Sequence, residues 1–444
     1  MDRFNLLARK AMPGNPDNTR RIKIDMMARV EGEGALHVTV KDGQVQDVQL
    51  RIFEPPRFFE AFLQGRHAHE VPDMVARICG ICPVAYQMSA VHALESIFGV
   101  LIPPGIRALR RLLYCAEWIE SHVLHIYMLQ APDFLGFASG IEMARIHPAL
   151  VKRGLRMKKA GNQLLTILGG RSVHPVSVKI GGFSRVPSQA QLADLKDELQ
   201  WARDAAVETL MWVSRFEFLD PTQDYTFLSL RGPSEYPMNE GPLITNHGHH
   251  IAPSDFEHHF FEEQVPYSNA LQCTFQGGSY LTGPMARMAL NYDQLSPLAK
   301  EAFGQTHLTL PFQQASMGIV ARAVEVLYAL DESLRLLEAY EPPEMPAIPV
   351  TMRAGSGMAA TEAPRGVLYH RYQVAEDGTI QLAKIVPPTS QNQRRMEDDL
   401  RRLLPDLLHL SDQDMAIKCE QHIRSYDPCI SCATHFLKFT RKEV

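Results

Sequence analysis

Two Cys-x-x-Cys pairs near opposite ends of the 444-residue chain constrain its fold more than any other feature. The first pair is Cys79 and Cys82, and the second is Cys429 and Cys432. Two thiols at this spacing can bind one metal centre, and a fold that joins the pairs would present four thiolates to it. We therefore expect a fold in which the last part of the chain returns to the first.

The spacing of the pairs leaves two kinds of metal site open. Four thiolates suit a structural zinc site, although zinc ribbons usually place their two pairs within a few tens of residues. A catalytic site for a soft transition metal uses the same ligands. The residues around the pairs favour catalysis, because Arg77 precedes the first pair, Asp427 precedes the second and His435 follows it. A purely structural site needs no such titratable neighbours.

The two motifs together resemble those of a known family. The first reads Arg-Ile-Cys-Gly-Ile-Cys at 77–82, and the second reads Asp-Pro-Cys-Ile-Ser-Cys-Ala-Thr-His at 427–435. This combination is similar to the large, metal-bearing subunit of nickel–iron hydrogenases, and the resemblance covers essentially the whole chain. It implies an oxidoreductase that cleaves H2 reversibly into protons and electrons.

The resemblance implies a division of labour among the four cysteines. Cys79 and Cys429 would bind nickel terminally, while Cys82 and Cys432 would bind nickel and also bridge to iron. The iron would carry one carbon monoxide and two cyanide ligands, which no side chain can replace.

The resemblance also implies catalytic roles outside the cysteine pairs. Glu31 would be the proton gate, receiving a proton from Cys429 or Arg365, although a carboxylate between glycines by itself indicates a solvated turn. Arg365, in a Pro-Arg-Gly sequence, would lie over the open metal position and contact a cyanide ligand. Asp133 matches a family aspartate that pairs with an arginine over the metals.

A magnesium ion near the end of the chain is implied as well. Glu60 matches a family glutamate by its spacing before the first cysteine pair, and a carboxylate suits this hard cation. His435 and the carbonyl of Ile385 would complete the protein ligands. Further along, a small hydroxyl residue would donate to a cyanide on the iron, and Thr389 is the best match, with Ser390 the next.

Electron transfer requires partner subunits. Besides the four metal cysteines, the chain has Cys115, Cys273 and Cys419, which are too few and too scattered for an iron–sulfur cluster. The chain therefore implies a small hydrogenase subunit that carries such clusters. Many relatives have a histidine four residues after the second cysteine, where this chain has Tyr86. In this respect the chain resembles the cytoplasmic, NAD(P)-coupled branch of the family, whose members add diaphorase-type subunits with flavin and iron–sulfur clusters.

Composition limits the other classes of function. The net charge of −5 gives no electrostatic footprint for nucleic acid. No apolar run has membrane-spanning length, and residues 1–21 lack the apolar core of a secretory signal, so we expect neither a membrane span nor export. Seven cysteines, an odd number, argue against a disulfide framework and for a reducing, cytoplasmic compartment.

The hydrophobic pattern predicts an α+β fold, mainly α, with a central bundle of long helices like that of the hydrogenase large subunit. The clearest helical patterns span 106–130, 144–167 and 312–340. Alternation around Asp-Gly turns predicts a β hairpin region at 22–53 and a second hairpin at 365–388. The Gly- and Ala-rich stretch 353–360 indicates a loop.

Residues 1–435 are expected to form a single domain, because the two cysteine pairs must meet. The chain continues past His435 with residues 436–444. Large subunits of the family are commonly trimmed after this histidine during maturation, once nickel is in place. The segment is therefore either an extension that is removed with the help of maturation factors or a tail that this protein keeps.

Two other classes of protein share parts of the pattern. The quinone-site subunit of respiratory complex I is related by fold but lacks the four-cysteine set. A cysteine-ligated zinc scaffold would need no Glu31, Arg365 or Glu60, and it would be colourless and inert to H2. The hydrogenase interpretation accounts for the four cysteines and for these three side chains together.

Overall fold

The computed structural model describes residues 19–434. His435 and the segment 436–444 lie outside the described residues, so the predictions for them remain predictions. Within the described part, long helices alternate with small sheets, and the predicted α+β class with a mainly helical composition is confirmed. Across this part of the chain, every helix is either too short or too polar to span a lipid bilayer.

The helices form the central body of the molecule. In chain order they are α1 (Phe59–Leu63), α2 (Val71–Val75), α3 (Pro83–Phe98), α4 (Pro104–Leu124), α5 (Ala131–Phe134), α6 (Gly140–Ile146), α7 (Pro148–Gly169), α8 (Gln189–Ala193), α9 (Lys196–Val213), α10 (Phe256–His259), α11 (Pro284–Asn291), α12 (Pro297–Gly304), α13 (Gly318–Glu338), α14 (Pro388–Leu407) and α15 (Asp412–Ser425). The bundle at the centre consists of α4, α7, α9 and α13, which pack on one another through their apolar faces.

Between residues 19 and 434, the strands form five small sheets. In chain order they are β1 (Thr19–Ile24), β2 (Gly34–Lys41), β3 (Gln44–Ile52), β4 (Val178–Lys179), β5 (Gly182–Phe183), β6 (Phe227–Leu230), β7 (Leu243–Thr245), β8 (His250–Ile251), β9 (Phe260–Gln264), β10 (Leu271–Phe275), β11 (Leu281–Thr282), β12 (Gly355–Ala363), β13 (Gly366–Val374) and β14 (Ile380–Val386). Two antiparallel sheets, β1-β2-β3 and β12-β13-β14, contain the predicted hairpins, and the others have the orders β4-β5, β10-β9 and β11-β6-β7-β8.

The stretch predicted as a loop at 353–360 is largely a strand, so that prediction is wrong. Strand β12 pairs with β13 along its whole length and packs against α3. A Cβ on Gly357 would lie 2.3 Å from the carbonyl oxygen of Ala93, which is on α3. Small residues are therefore required by the close approach of strand and helix, and a composition typical of a loop has a packing cause here.

Two of the predicted long helices are not continuous α-helices in the structure. The pattern at 144–167 is divided by His147 between α6 and α7, because α7 begins at Pro148, whose ring cannot continue a helix from the preceding turn. The pattern at 106–130 is α4 followed by a π-helical segment, His125–Gln130. Helix α15 leads back to the turn after β1, where Cys429 pairs with Glu31, so the first and last described parts of the chain meet.

Candidate metal centre

The four cysteines meet in the interior of the protein. Cys79 and Cys82 lie on the segment that leads into α3, and Cys82 is the residue before that helix. Cys429 and Cys432 follow α15. All four residues are buried, with at most 4 % of their surface exposed, and their sulfur atoms lie within 4.8 Å of one another. The fold thus unites two pairs that the sequence separates by most of its length.

The distances between the sulfur atoms fit one shared centre. Cys79 Sγ lies 3.4 Å from Cys429 Sγ, and Cys82 Sγ lies 3.7 Å from Cys432 Sγ. Cys429 Sγ and Cys432 Sγ are 2.7 Å apart, and none of the four cysteines forms a disulfide. Four buried thiols are the donor set that soft metals such as nickel, iron and zinc prefer. The residues therefore fit a metal centre.

The thiols change one another's ionisation. Hydrogen bonds with Cys429, Cys432 and Cys82 lower the pKa of Cys79 well below its ordinary value. Burial, reinforced by the neighbouring thiols, raises the pKa of Cys429 well above its own. Cys79 is therefore the thiol that ionises most easily, and a bound cation would stabilise the further thiolates.

Glu31 lies directly beside this cluster. Its Oε2 atom accepts hydrogen bonds from the Cys429 thiol and from the backbone N–H of Ser431, both at 3.1 Å. The Ser431 hydroxyl donates to Oε1. The carbonyl of Glu31 accepts from the N–H of Ile430 at 2.9 Å, within a parallel bridge that joins Glu31 to Cys429. The carboxylate is thus within hydrogen-bond reach of a thiol, which is what a proton acceptor requires.

The glycine after Glu31 permits this close approach. Gly32 has a φ of +87°, and a Cβ there would lie 2.5 Å from a carboxylate oxygen of Glu54 and 2.8 Å from the side chain of Ile430. A larger residue would strain the turn and push the C-terminal segment away from Glu31. The glycine therefore has a structural function, although the turn is exposed to solvent at Gly32 and Glu33 as the sequence indicated.

Arg365 and Asp427 form a buried ion pair next to the second cysteine motif. Arg365 Nη2 donates to Asp427 Oδ1 at 2.9 Å, and its Nε donates to the Asp427 carbonyl at 2.7 Å. Burial alone would raise the pKa of Asp427, but the charge of Arg365 holds it below its ordinary value. Arg365 Nη1 is buried and has no hydrogen-bond partner among residues 19–434. A buried donor of this kind is costly unless a ligand accepts from it, and an anionic ligand such as cyanide would do so.

Asp133 pairs with two arginines, neither of which is Arg365. Its carboxylate accepts from Arg424 Nε at 2.8 Å and Nη2 at 3.0 Å, and it also accepts from Arg29. The acidic partner of Arg365 is Asp427 instead. Asp133 therefore binds both Arg424 and Arg29, and Arg29 lies two residues before Glu31. The sequence motif identified the carboxylate but could not say which arginine it meets.

Thr389 lies against the second cysteine motif. Its Oγ1 accepts from the N–H of Cys429 at 2.9 Å, which leaves the hydroxyl hydrogen available to a further acceptor. Thr389 and Ser390 are both buried in the first turn of α14, a helix that begins at Pro388. Of the two candidates for the hydroxyl donor, Thr389 is the one with a contact to a cysteine residue.

The residues predicted to bind magnesium are only partly within the described structure. Glu60 Oε1 accepts from the backbone N–H of Ile385 at 2.7 Å, so these two residues lie together. His435 lies outside the described residues. The magnesium site therefore stays a prediction.

Tyr86, the departure from the family pattern, is buried in the first turns of α3. Burial, and then the charges of Cys432 and Cys82, raise its pKa well above the ordinary value. The phenol therefore stays neutral beside the cluster. A neutral hydroxyl can donate to a thiolate without adding a charge, unlike a protonated histidine.

A buried network of charges holds the elements around the centre together. Arg287 donates to Glu325 through Nε and Nη2, both at 2.7 Å, and to Glu362 through Nη1 at 2.8 Å. None of these three side chains is exposed to solvent. The guanidinium also lies 4.3 Å from the centre of the Trp118 ring. Helices α4, α11 and α13 and strand β12 are thus joined through one arginine.

The same arginine fixes the turn that carries Arg365. Arg287 Nη1 donates to the carbonyl of Ala363 at 3.0 Å, and Nη2 donates to the carbonyl of Pro364 at 2.9 Å. Arg365 is the next residue. This contact could not be predicted from the sequence, because Arg287 lies in no recognised motif and is far from the Pro-Arg-Gly turn in the chain.

Glu117 and Ser431 are two other site residues that sequence reasoning missed. Glu117, on α4, accepts from the N–H groups of Val84 at 2.6 Å and Ala85 at 3.1 Å, in the turn that follows Cys82. It therefore provides an acceptor for the N–H groups at the start of α3, which otherwise have no partner within the helix, and it fixes the position of the first cysteine pair. Ser431 lies inside the second motif, so its hydroxyl was a visible signal, whereas Glu117 looked like any polar residue on a helix.

The buried histidines predict a loss of stability in acid. Burial lowers the pKa of His122 to about 4 and that of His125 to about 3, from an ordinary value of 6.5. At a pH between the folded-state pKa and 6.5, the histidine binds more protons in the unfolded chain than in the folded one. Stability therefore falls as the pH drops from 6.5. Each histidine is expected to contribute about 1.4 kcal/mol per pH unit within its window. Urea unfolding measured from neutral pH down to about pH 4 tests this expectation.

His122→Gln should flatten that dependence, because glutamine can still donate to Glu325 but takes up no proton. His258, which is 81 % exposed, provides the control, and His258→Gln should leave the pH dependence unchanged. An equal slope in the His122→Gln and unaltered proteins would contradict the assignment.

The fold and the thiol cluster are those of a hydrogenase. The sequence profile of the family described as nickel-dependent hydrogenase matches residues 57–153 and 245–435, which is more than half of the chain. The chain belongs to the nickel-dependent hydrogenase family. It is a nickel–iron hydrogenase large subunit, the catalytic subunit of an oxidoreductase that acts on hydrogen. The interpretation made from the two cysteine motifs is confirmed, and the zinc-scaffold and complex I alternatives are not favoured.

Known relatives resemble the chain over nearly its whole length. It is 33 % identical over 432 residues to the sulfhydrogenase 2 alpha subunit of Pyrococcus furiosus, covering 94 % of this chain and 99 % of that protein. It is 28 % identical over 472 residues to the beta subunit of the NAD-reducing hydrogenase HoxS of Cupriavidus necator, covering 94 % and 95 %. A crystal structure of an NAD+-reducing NiFe-hydrogenase in the H2-reduced state superimposes with a TM-score of 0.87 at 26 % identity, covering 94 % and 99 %.

Proposed function

We propose that this chain cleaves H2 heterolytically at a nickel–iron centre held by its four cysteines, and that the electrons pass through an iron–sulfur partner subunit to NAD(P)+. The observation that carries this proposal is the contact between Glu31 and the Cys429 thiol at the edge of a buried cluster of four cysteines. Heterolytic cleavage needs a hydride acceptor and a proton acceptor side by side. The thiol cluster would hold the first, and Glu31 is the second.

The cysteines would hold the metals as the family resemblance implies. Cys79 and Cys429 would bind nickel, while Cys82 and Cys432 would bridge nickel and iron. When bound, this centre, with carbon monoxide and two cyanides on its iron, supplies the site that accepts the hydride. The proposal is supported by the preference of soft metals for thiolates and by the burial of all four side chains.

The side chains around the cysteines would manage the proton and the charge. Glu31 takes the proton from the Cys429 sulfur and passes it outward, while its contacts to Ser431 keep the carboxylate in place. Arg365 keeps its positive charge, because Asp427 raises its pKa against the effect of burial. Its free Nη1 donor and the Thr389 hydroxyl would each donate to a cyanide ligand.

Magnesium would lie at the end of the chain, held by Glu60, the carbonyl of Ile385 and His435. The contact between Glu60 and Ile385 supports this part of the proposal. A hard cation bound there would keep the end of the chain close to the thiol cluster. Maturation factors would load the metals, and the segment 436–444 would then be removed or kept.

The electrons would leave through a partner subunit. Within residues 19–434, the one group of potential metal ligands is the four-cysteine cluster. Cys115 and Cys419 are single buried thiols, and burial raises the pKa of each to about 12, so they stay protonated and unreactive. The similarity to NAD-reducing relatives supports a small iron–sulfur subunit, diaphorase-type flavin subunits, NAD(P)+ as acceptor and a cytoplasmic location.

An infrared spectrum of the protein, purified without oxygen from its native host, tests this proposal. One metal carbonyl band and two cyanide bands are expected, together with nickel and iron by elemental analysis. Absence of these bands in a sample that contains zinc would contradict the proposal. Reduction of NAD+ or NADP+ under H2 by the intact complex then tests the acceptor.

Two alanine substitutions provide a matched comparison for the same spectrum. Cys432→Ala should abolish the carbonyl and cyanide bands, because one of the four metal ligands is gone. Cys419→Ala, in α15, removes a buried thiol outside the cluster and should leave the bands unchanged. Bands that survive in Cys432→Ala would exclude this cysteine as a ligand.

A further inference from the structure

One arginine outside the cysteine motifs connects them. Arg57 lies between β3 and α1, and its Nη2 atom donates to the carbonyl of Ile78 and to the carbonyl of Ser431, each at 2.5 Å. Ile78 directly precedes the first cysteine pair, and Ser431 lies between the two cysteines of the second pair. A single nitrogen atom therefore joins two backbone segments that are far apart in the chain.

The backbone of Arg57 makes a further contact to the same end of the chain. Its N–H donates to the carbonyl of Thr434 at 2.6 Å. The Glu31 carbonyl and the Thr389 hydroxyl also hold the segment 427–434, but they do so without contacting the backbone of the first motif. Arg57 differs from them because its side chain holds the second motif against the first.

The chemistry of arginine makes this connection strong. A charged donor forms stronger hydrogen bonds to carbonyl oxygens than a neutral one. The ring of Phe59 has its centre 5.7 Å from the guanidinium carbon, which restricts the side chain by packing and favours the cation. Both contacts to the motifs come from Nη2. Arg57 Nε is buried and has no hydrogen-bond partner among residues 19–434.

We propose that Arg57 is a positioning residue, which holds the two cysteine motifs in register so that their four sulfurs stay close enough to bind one metal centre. It acts through the backbone carbonyls next to the cysteines. The inference deepens the proposed function and rests on it for the identity of the metals, whereas the contacts of Arg57 do not depend on that identity. Loss of Arg57 would let the second motif separate from the first.

Substitutions of Arg57 by lysine and by methionine distinguish the effect of the hydrogen-bond donor from the effect of side-chain size. Because both carbonyls accept from one nitrogen, a lysine ammonium can serve both of them, whereas methionine offers no donor. Arg57→Lys and Arg57→Met are therefore compared in the full-length protein purified from its host. The readouts are hydrogen–deuterium exchange of the peptide 427–434 and the nickel and iron bound per protein.

Arg57→Met is expected to speed the exchange of that peptide by about ten- to a hundredfold and to lower the bound nickel and iron together. Arg57→Lys should stay close to the unaltered protein in both readouts. Peptides from α13 should keep their protection in both variants. The matched control is Arg20→Met, since Arg20 also donates to two carbonyls, those of Leu408 and Leu410, outside the two cysteine motifs.

Three outcomes would overturn the proposal. The first is unchanged exchange at 427–434 in Arg57→Met, and the second is an equal loss in the lysine and methionine variants. The third is a loss of protection in α13 as large as that at 427–434, since Arg57 would then support the whole fold. Failure of the proposed function looks different, because the unaltered protein would lack the carbonyl and cyanide bands while the exchange comparison would remain readable.

Discussion

Glu31→Gln is expected to slow H2 oxidation by about two to four orders of magnitude, the usual contribution of a positioned proton acceptor. Glutamine has nearly the same shape: its amide oxygen can take the place of Oε2 and accept from the N–H of Ser431, and its NH2 group can take the place of Oε1 and donate to the Ser431 hydroxyl oxygen. The turn should therefore keep its position, but the side chain can no longer take a proton from Cys429. The measurement is H2-dependent dye reduction by the intact complex, with an infrared spectrum of the same sample.

The infrared spectrum decides how a loss of rate is interpreted. Carbonyl and cyanide bands should keep their intensity in Glu31→Gln, because no metal ligand is removed. Glu33→Gln is the matched control, since Glu33 is exposed and contacts Glu54 through its backbone N–H. Its rate should match that of the unaltered protein. A Glu31→Gln enzyme that retains most of its activity would exclude Glu31 as the proton gate.

Arg287→Met should destabilise the folded protein by about 3–5 kcal/mol, the usual cost of removing one partner from a buried ion pair. Methionine fills much of the space of arginine but leaves the carboxylates of Glu325 and Glu362 without their cation. It also releases the carbonyls before Arg365, so activity should fall in the protein that remains folded. The free energy of unfolding from a urea titration measures the first effect.

A surface ion pair gives the comparison that this prediction needs. Arg231 contacts Asp293 with both of its terminal nitrogens, but the two side chains are 33 % and 63 % exposed. Arg231→Met should cost less than about 1 kcal/mol, because solvent already screens that pair. In addition, Glu325→Gln should recover part of the loss when it is combined with Arg287→Met, since one unpaired charge is removed. Equal costs for the two arginine variants would contradict the role assigned to the buried network.

The centre of the site could be predicted from the sequence because its ligands lie in short motifs. The spacing within each cysteine pair shows that two thiols can bind one metal, and no knowledge of the fold is needed for that step. Glu31 and Arg365 were found in the same way, through short sequences that resemble those of the family. The structure adds distances that support these roles, above all the contact between Glu31 and Cys429.

The pairs of charges around the centre could not be predicted, because each joins residues that are far apart in sequence. Asp427 was visible beside the second motif, but no pattern says that its partner is Arg365 rather than another arginine. For the same reason, no pattern in the sequence says that Asp133 meets Arg424 and Arg29. Arg57 was visible too, yet its contact with both motifs depends on the fold that brings them together.

The helical body of the fold followed from periodicity, whereas one sheet did not. Long apolar stripes predicted the helices that became α4, α7 and α13, because burial in a bundle imposes the helical period. Strand β12 was missed, because its small residues are selected by contact with α3 rather than by strand propensity. The ends of helices were also less predictable than their existence, as the proline between α6 and α7 illustrates.

The pairing of thiols from the two ends of the chain sets an order of events during protein synthesis. Cys82 and its partner Cys432 are separated by 350 residues. At a translation rate of about 5–20 residues per second, the second pair leaves the ribosome roughly 20–70 s after the first. During that interval Cys79 and Cys82 are an isolated pair of thiols that can bind only half of a four-thiolate centre. The complete donor set is therefore present only after the second pair has been synthesised, so all four thiolates can enclose the metals only from that point on.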